Sequence, residues 1–62
     1  MTRRERAIDY IEDCRQTHVN WIKAQDAGWL TPMQTRIGGT KTHHRMWVRR
    51  YDAVLAELRR TP

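Results

Sequence analysis

Apolar and aromatic residues in the first half of the chain recur at the spacing of one helix face. The stripe is formed by residues that are alternately four and three apart: Ala7, Ile11, Cys14, His18 and Trp21. This period is typical of an amphipathic α-helix. Thr2 and Glu5 have the spacing of a capping box, and Gly28 stands where a helix-ending glycine is expected. The pattern predicts a first helix over about residues 3–27.

A second stripe follows the glycine-containing segment. It consists of residues spaced three and four apart: His44, Trp47, Tyr51, Val54 and Leu58. Thr40 or Thr42 can cap the start of a helix here. Arg59 and Arg60 lie in its last turn, where positive charge suits the helix dipole. We predict a second helix over about residues 42–60.

Residues 28–41 form the connection, because they hold all three glycines and Pro32. They also hold four large apolar side chains: Trp29, Leu30, Met33 and Ile37. Because such side chains are costly to leave in water, we expect the connection to fold back over the ends of the helices. The prediction is one all-α domain over residues 1–62, a two-helix antiparallel hairpin with a folded-back apolar connection.

A chain of 62 residues buries only a small core. Chains of this size usually need a metal, disulfides or self-association for stability. Cys14 is the single cysteine, so no disulfide can form within one chain. We therefore expect a homodimer that completes a four-helix bundle.

The two stripes share a repeated element. Residues 18–27 align without gaps on residues 44–53 in the pattern H-x-x-W-[IV]-[KR]-x-x-D-A, at an offset of 26. Histidine and tryptophan three apart lie on one helix face, so both pairs are expected to face inward. Each imidazole is expected to bond an indole N–H or a nearby carbonyl. The predicted structural core is Ile11, His18, Trp21, His44, Trp47, Tyr51 and Leu58.

The same histidines allow a metal-site hypothesis. Its four candidate ligands are Cys14, His18, His43 and His44. In an antiparallel hairpin, however, residue 18 is expected opposite residues 47–51, which is a poor match to residue 44. A tetrahedral zinc site needs four converging donors. We therefore expect no metal and no other cofactor.

Catalytic patterns are missing from the sequence. There is no serine, no glycine-rich phosphate loop, and the stripe turns Cys14 inward, where thiols are usually unreactive. So short a chain also leaves little room for a pocket. We expect a non-enzymatic protein with no catalytic residue and no small-molecule substrate.

Charge is distributed unevenly. Residues 1–31 contain five basic and five acidic residues, whereas residues 32–62 contain seven basic and two acidic ones, so the net charge of +5 lies in the second half. Such asymmetry indicates an acidic partner, either nucleic acid or protein. The candidate partner-binding residues are Arg45, Arg49, Arg50, Arg36 and Lys41.

The first helix carries an acidic ladder with a spacing of four: Glu5, Asp9 and Asp13. In the hairpin we expect Glu5 and Asp9 to lie near the arginines at positions 59 and 60. In an antiparallel dimer the acidic ladder could meet Arg45 and Arg49 of the other copy. No apolar run is long enough to span a membrane, and no signal peptide is evident, so we expect a cytoplasmic protein of a bacterial host.

One set of residues resembles small uncharacterised proteins encoded by actinobacterial phages. The set spans most of the chain: Cys14, His18, Trp21, Pro32, Ile37, Gly38, His43, His44, Arg45, Trp47, Val48, Tyr51, Asp52 and Val54. The resemblance implies a phage accessory protein and no known activity.

A second resemblance is to excisionase and MerR-like winged helix-turn-helix domains. Residues 7–11 are similar to their first helix, residues 15–17 to the turn, residues 17–22 to the recognition helix, and residues 29–32 with 36–39 to the wing. This implies DNA binding. The chain departs from the pattern because the turn at residues 12–14 lacks glycine and the recognition segment has few basic residues.

Two functions follow as hypotheses. The first is a protein-interaction module that binds a host or phage protein through a basic helix face. The second is a DNA-binding protein of excisionase-like type that uses the basic second half.

Overall fold

The computed structural model describes residues 1–60. Its helices are α1 (Arg3–Asp26), α2 (Pro32–Gly38) and α3 (Lys41–Arg60). The long helices α1 and α3 pack antiparallel and form a rod of 44 × 20 × 17 Å. The described residues include no strand, so the chain forms the predicted all-α hairpin and not the winged alternative. No helix within residues 1–60 is long and apolar enough to cross a membrane.

Local signals at both ends of α1 explain where it begins and ends. The Thr2 hydroxyl accepts the Glu5 N–H at 3.1 Å, and the Glu5 carboxylate accepts the Thr2 hydroxyl. At the other end Gly28 has a φ of 73°, which glycine adopts without steric cost. The N–H groups of Gly28 and Trp29 bond back to the carbonyls of residues 25 and 24, as in a Schellman motif. The sequence-based assignment of this helix is confirmed.

The connection contains the short helix α2, where the sequence was expected to form only a loop. Thr31 and Gln34 make a full capping box: the Thr31 hydroxyl accepts the Gln34 N–H, and the Gln34 side chain accepts the Thr31 N–H. Pro32 follows at the first helical position, which suits its fixed φ. The sequence Thr-Pro-Met-Gln carries this signal, so α2 was predictable.

Three of the four apolar residues in the connection lie in solvent. Trp29, Met33 and Ile37 are 76%, 70% and 80% exposed. The expectation that they fold back over the helix ends is wrong; among the four, only Leu30 is half-buried. The reason is that α2 meets the hairpin at its C-terminal end, where Gly38 packs against the Trp21 ring.

The core is narrow. Leu55 and His44 are each 3% exposed and are the buried residues among those described. The other predicted core residues are half-buried: Ile11, His18, Trp21, Trp47, Tyr51 and Leu58. Two helices without a third layer leave the edges of every inward side chain open, which explains the difference.

The open end of the hairpin is fastened differently from the expectation. Arg4 donates to the Leu58 carbonyl at 2.7 Å and to the Arg59 carbonyl at 3.1 Å, which caps the end of α3. The Arg59 guanidinium pairs with Glu12, and that of Arg60 pairs with residue 57 on its own helix. No ion pair within residues 1–60 joins residues 5 and 9 to these arginines, and Arg4 lies beside the α3 terminus instead.

Leu55 anchors this thin interface, and its truncation should be costly. We expect Leu55→Ala to lower the free energy of unfolding by about 2–5 kcal/mol, as for large buried aliphatic residues. Its neighbour Val54 is 43% exposed, so Val54→Ala is the matched control and should cost less than about 1 kcal/mol. Urea unfolding followed by circular dichroism measures both; equal losses would contradict the assignment of Leu55 as the core anchor.

Candidate functional site

The repeated His-x-x-Trp elements meet at the centre of the helix interface and stack on each other. His18 stacks on Trp47, with ring centroids 6.1 Å apart and planes 14° apart. His44 stacks on Trp21 at 5.6 Å and 4°. Each histidine therefore packs on the tryptophan of the other repeated element. The inward orientation predicted for these residues agrees with the contacts.

This exchange is the signature of a pseudo-two-fold axis. Exchanging each residue with its counterpart 26 positions away turns the contact of His18 with Trp47 into that of His44 with Trp21, and the flanking ion pairs are exchanged in the same way. Arg15 pairs with Asp52 at 2.6 Å, and Lys41 pairs with Asp26 at 2.6 Å. The repeat is thus longer than its sequence pattern indicated, because it includes the cations at positions 15 and 41. Its physical meaning is an interface that is complementary to itself.

A hydrogen bond between the two imidazoles lies on this axis. The Nδ1 atoms of His18 and His44 are 2.7 Å apart, so one of them carries a proton and the other accepts it. The expectation of bonds from the imidazoles to an indole N–H or a carbonyl is therefore wrong for these Nδ1 atoms. The His44 Nε2 atom is buried and has no hydrogen-bond partner among the described residues.

Burial and positive neighbours act on His18 in the same direction. Partial desolvation, followed by the proximity of His44 and His43, lowers the pKa of His18 below its ordinary value. The rings facing it are those of His43, His44, Trp47 and Tyr51. None of these supplies a negative charge, so the neutral form of His18 is the one that the folded chain favours.

The three histidines come together more closely than the sequence suggested. Residue 18 does lie opposite residues 47–51, as its ring contacts with Trp47 and Tyr51 show, but the conclusion that it would miss residue 44 is wrong, because the two imidazoles are in contact. The His43 ring centroid is 5.2 Å from that of His44. Even so, no three His, Cys, Asp or Glu side chains within residues 1–60 are arranged to hold one metal ion. Two nitrogens on one zinc ion, each about 2.0–2.1 Å from it, would stand about 3.3 Å apart. The hydrogen-bonded pair is closer than that.

Cys14, the fourth candidate ligand, has a different neighbour. It interacts with the Tyr10 hydroxyl one turn earlier on α1, and this contact raises the pKa of Tyr10. Cys14 is half-buried, and none of the described contacts joins it to the three histidines. The chain therefore separates the thiol from the imidazoles that could have activated it.

Two glycines let the connection approach the cluster. A Cβ atom on Gly38 would lie 2.5 Å from the Trp21 ring, and one on Gly39 would lie 2.8 Å from the His43 ring. The Gly39 φ of 99° also disfavours any other residue. Gln25 donates to the Gly39 carbonyl at 2.8 Å and holds the backbone in place. Glycine is thus required at both positions because a side chain would clash with the rings, and at Gly39 also because the φ angle is positive.

The outer side of α3 carries a groove with exposed basic side chains. We name it the α3 basic face, and it is lined by Thr42, Arg45, Met46, Arg49 and Arg50. Arg45 and Arg49 make no ion pair or hydrogen bond within residues 1–60, and Met46 is 38% exposed between them. The Arg50 guanidinium carbon lies 5.0 Å from the Trp47 ring centroid, a cation–π contact that ties the face to the central cluster.

The structure brings together only part of the predicted partner-binding set. The arginines at positions 45, 49 and 50 share the groove, whereas Lys41 is paired with Asp26 and lowers the pKa of that carboxyl through its hydrogen bond. Arg36 is exposed on α2 and does not line the groove. Thr42 and Met46 were not predicted. They lie eight and four residues before Arg50, on the same side of α3, and this spacing is the signal that could have identified them.

Acid should weaken the hairpin through His18. The unfolded imidazole binds a proton near pH 6.5, and the folded one resists it because its pKa is lowered. The contribution of His18 to stability is therefore present in full above about pH 6.5 and is lost as the pH falls toward the folded-state pKa. Urea unfolding at about pH 7.5 and 5.5 should show this loss in the wild type, and a smaller one in His18→Gln. His43→Gln, which alters an exposed ring, is the control and should keep most of the loss.

The contact between Gly38 and Trp21 predicts a steric coupling. Gly38→Ala places a methyl group inside the indole, so we expect it to cost about 1–3 kcal/mol of stability. In a Trp21→Phe background the atoms that clash are gone, and the same substitution should cost less. A double-mutant cycle by thermal unfolding measures this difference; strictly additive effects would contradict the close approach.

Comparisons with known proteins identify no relative of this site. No protein-family model matches the chain, and no curated protein or solved structure is significantly similar to it. What the site can do therefore follows from its own contacts, charges and burial.

Proposed function

We propose that the protein is a non-enzymatic binding module whose α3 basic face docks an acidic protein partner. The observation that carries the proposal is the pair Arg45 and Arg49, which make no ion pair or hydrogen bond among the described residues. Most of the cations near the helix interface do have an acidic partner. Arg45 acts on Asp26 only through its charge, without a hydrogen bond. The N–H donors of both guanidinium groups are therefore available for a carboxylate of another molecule.

Met46 favours a protein over a bare polyanion. It lies in the groove between the two arginines and is 38% exposed. Methionine is flexible and polarizable, and it adapts to apolar side chains at binding surfaces. Arg45 and Arg49 are one turn apart, about 5–6 Å between Cβ atoms, which matches two acidic residues one turn apart on a partner helix. The surface fits an acidic amphipathic segment.

The location of the histidines supports a binding role over a catalytic one. His18 and His44 face the helix interface and bond to each other, so their Nδ1 atoms are occupied by the fold. The α3 basic face, in contrast, is open, and its lining residues include no His, Cys, Asp or Glu that could act as a general base for the Thr42 hydroxyl. Such a surface can attract and orient a partner, but it offers no group for proton transfer.

A second copy of the chain is a poor occupant for this face. By the rotation of about 100° per residue in a helix, Asp9 and Asp13 lie on the side of α1 turned away from α3, and Arg49 lies on the side of α3 turned away from α1. Arg45 lies at the edge of the interface, near enough to Asp26 to help lower the pKa of that carboxyl. The two ladders therefore face opposite directions. Pairing them between copies would give a head-to-tail chain instead of a closed dimer.

Nucleic acid is the second candidate. The net charge of +5 and the two unpaired arginines favour it. The wing that an excisionase-like domain would use is replaced by α2 in residues 1–60, so DNA would have to meet the α3 basic face directly. The resemblance to actinobacterial phage proteins supports a role as a phage accessory protein in the bacterial cytoplasm for either candidate.

The test compares two double variants: one removes two positive charges from the α3 basic face, and the other removes two from α1. We expect Arg45→Ala/Arg49→Ala to bind a random glutamate–tyrosine copolymer at least about tenfold more weakly than the wild type, since two charge-assisted contacts are lost. Arg3→Ala/Arg6→Ala lowers the net charge by the same amount at the opposite end of the rod and should bind like the wild type. Fluorescence anisotropy at low salt measures all three proteins.

Two further comparisons separate the candidates. Met46→Ala should reduce the preference for the glutamate–tyrosine copolymer over polyglutamate, because polyglutamate offers no ring for the methionine. A 20-base-pair duplex should bind weakly. The proposed partner would be DNA instead of protein if the duplex binds tightly and binding requires Arg45 and Arg49. In that case the logarithm of the affinity should fall with the logarithm of the salt concentration at a slope near −0.9 per phosphate contact. If both double variants lose copolymer affinity equally, the α3 basic face is not the binding site.

A further inference from the structure

The connection end of the rod carries an apolar patch. Trp29, Met33 and Ile37 are each at least 70% exposed, although all three are large. Scattered apolar residues are normal on a surface, but three large ones spaced four residues apart within residues 29–37 are a concentration of the kind that favours an interaction site. This surface is separate from the α3 basic face, whose lining does not include them.

A pocket lies next to the backbone of Trp29, whose N–H bonds to the carbonyl of Ala24 in the pocket wall and whose neighbour Leu30 also lines the pocket. It measures about 260 Å³ and is lined by Thr17, Asn20, Trp21, Ala24 and Leu30. All five lining residues are uncharged. Typical small-molecule sites measure about 300–1,000 Å³, so this pocket has the size of a site for one large side chain.

From this juxtaposition we infer that a second copy of the chain docks here, with Trp29 of each copy inserted into the pocket of the other. A projecting ring and a recess that lie next to each other on one surface are complementary to the same surface turned by a two-fold rotation. Each insertion buries an indole against Leu30 and Trp21, and both insertions form at once. The result is a closed dimer, which the charged ladders cannot give.

The exposed area of the chain supports this occupant. A folded monomer of 7.5 kDa is expected to expose about 4,200 Å², whereas this chain exposes 5000 Å². The excess of about 800 Å² equals the area that each partner contributes to a standard interface. The elongated shape of the rod, 44 × 20 × 17 Å, produces this excess, and docking a second copy at one end would reduce it.

Salt dependence distinguishes this dimer from the proposed function. Two copies of net charge +5 repel each other, so screening should strengthen an uncharged contact between them. Binding of an acidic partner at the α3 basic face should instead weaken with salt. A failure of one inference therefore leaves the other unaffected.

Sedimentation equilibrium of the full chain tests the proposal, at about 5–200 µM in 0.15 and 0.5 M sodium chloride. We expect a monomer–dimer equilibrium that shifts toward dimer at the higher salt. Trp29→Ala should raise the dissociation constant at least about tenfold. Tyr10→Ala removes an aromatic ring of 68% exposure at the other end of the rod and should leave the dimer unchanged.

A mixing experiment tests the insertion itself. Thr17→Arg blocks the pocket and keeps the ring, whereas Trp29→Ala removes the ring and keeps the pocket. Each variant alone should be monomeric, with helix content checked by circular dichroism. Their mixture retains one intact insertion and should form a heterodimer weaker than the wild-type dimer.

The outcomes that overturn the inference are equally definite. If the wild type is monomeric at every concentration and salt, a second copy does not bind at this patch, and an apolar segment of another protein becomes the candidate partner. A Trp29→Ala variant that dimerises as the wild type does would place the interface elsewhere. A mixture that stays monomeric would reject the reciprocal insertion.

Discussion

The fold depends on one reciprocal contact between its helices. His18 stacks on Trp47, His44 stacks on Trp21, and the two imidazoles are hydrogen-bonded through Nδ1 atoms 2.7 Å apart. The stacks and the hydrogen bond fix the register of the two helices, since a shift by one turn would break all three contacts. The ion pairs at positions 15 and 26 and the close approach of Gly38 follow from that register.

Much of this arrangement could be predicted from the sequence. The three–four spacing located both long helices, Gly28 marked the end of α1, and the offset of 26 identified the residues that form the centre. These features are local or periodic, so they are visible in a single chain. The hydrogen bond between the imidazoles was not visible, because it depends on the stagger of the two helices, which only the packed structure determines.

Other misses have different causes. The capping box at Thr31 and Gln34 was present in the sequence, but glycine and proline nearby favoured a loop. Leu55 lies outside the predicted second stripe and core, and its near-complete burial depends on how closely the helices approach each other there. The exposed side chains of the connection show the limit of the rule that apolar residues turn inward. A short helix stiffens the segment, and its outer side then faces solvent whatever residues it carries.

The pseudo-two-fold relation has a consequence for folding. Because the elements are related by the same offset, α1 is complementary not only to α3 but also to another α1: the contacts of residues 15 with 52 and 18 with 47 have counterparts as residues 15 with 26 and 18 with 21 of a different molecule. During synthesis and refolding, pairing within one chain competes with pairing between chains. The short connection decides this competition, because it holds the helices at an effective concentration in the millimolar range. Residues 27–40 thus act as a selector of intramolecular pairing, and the stiffness that α2 lends to them serves that selection.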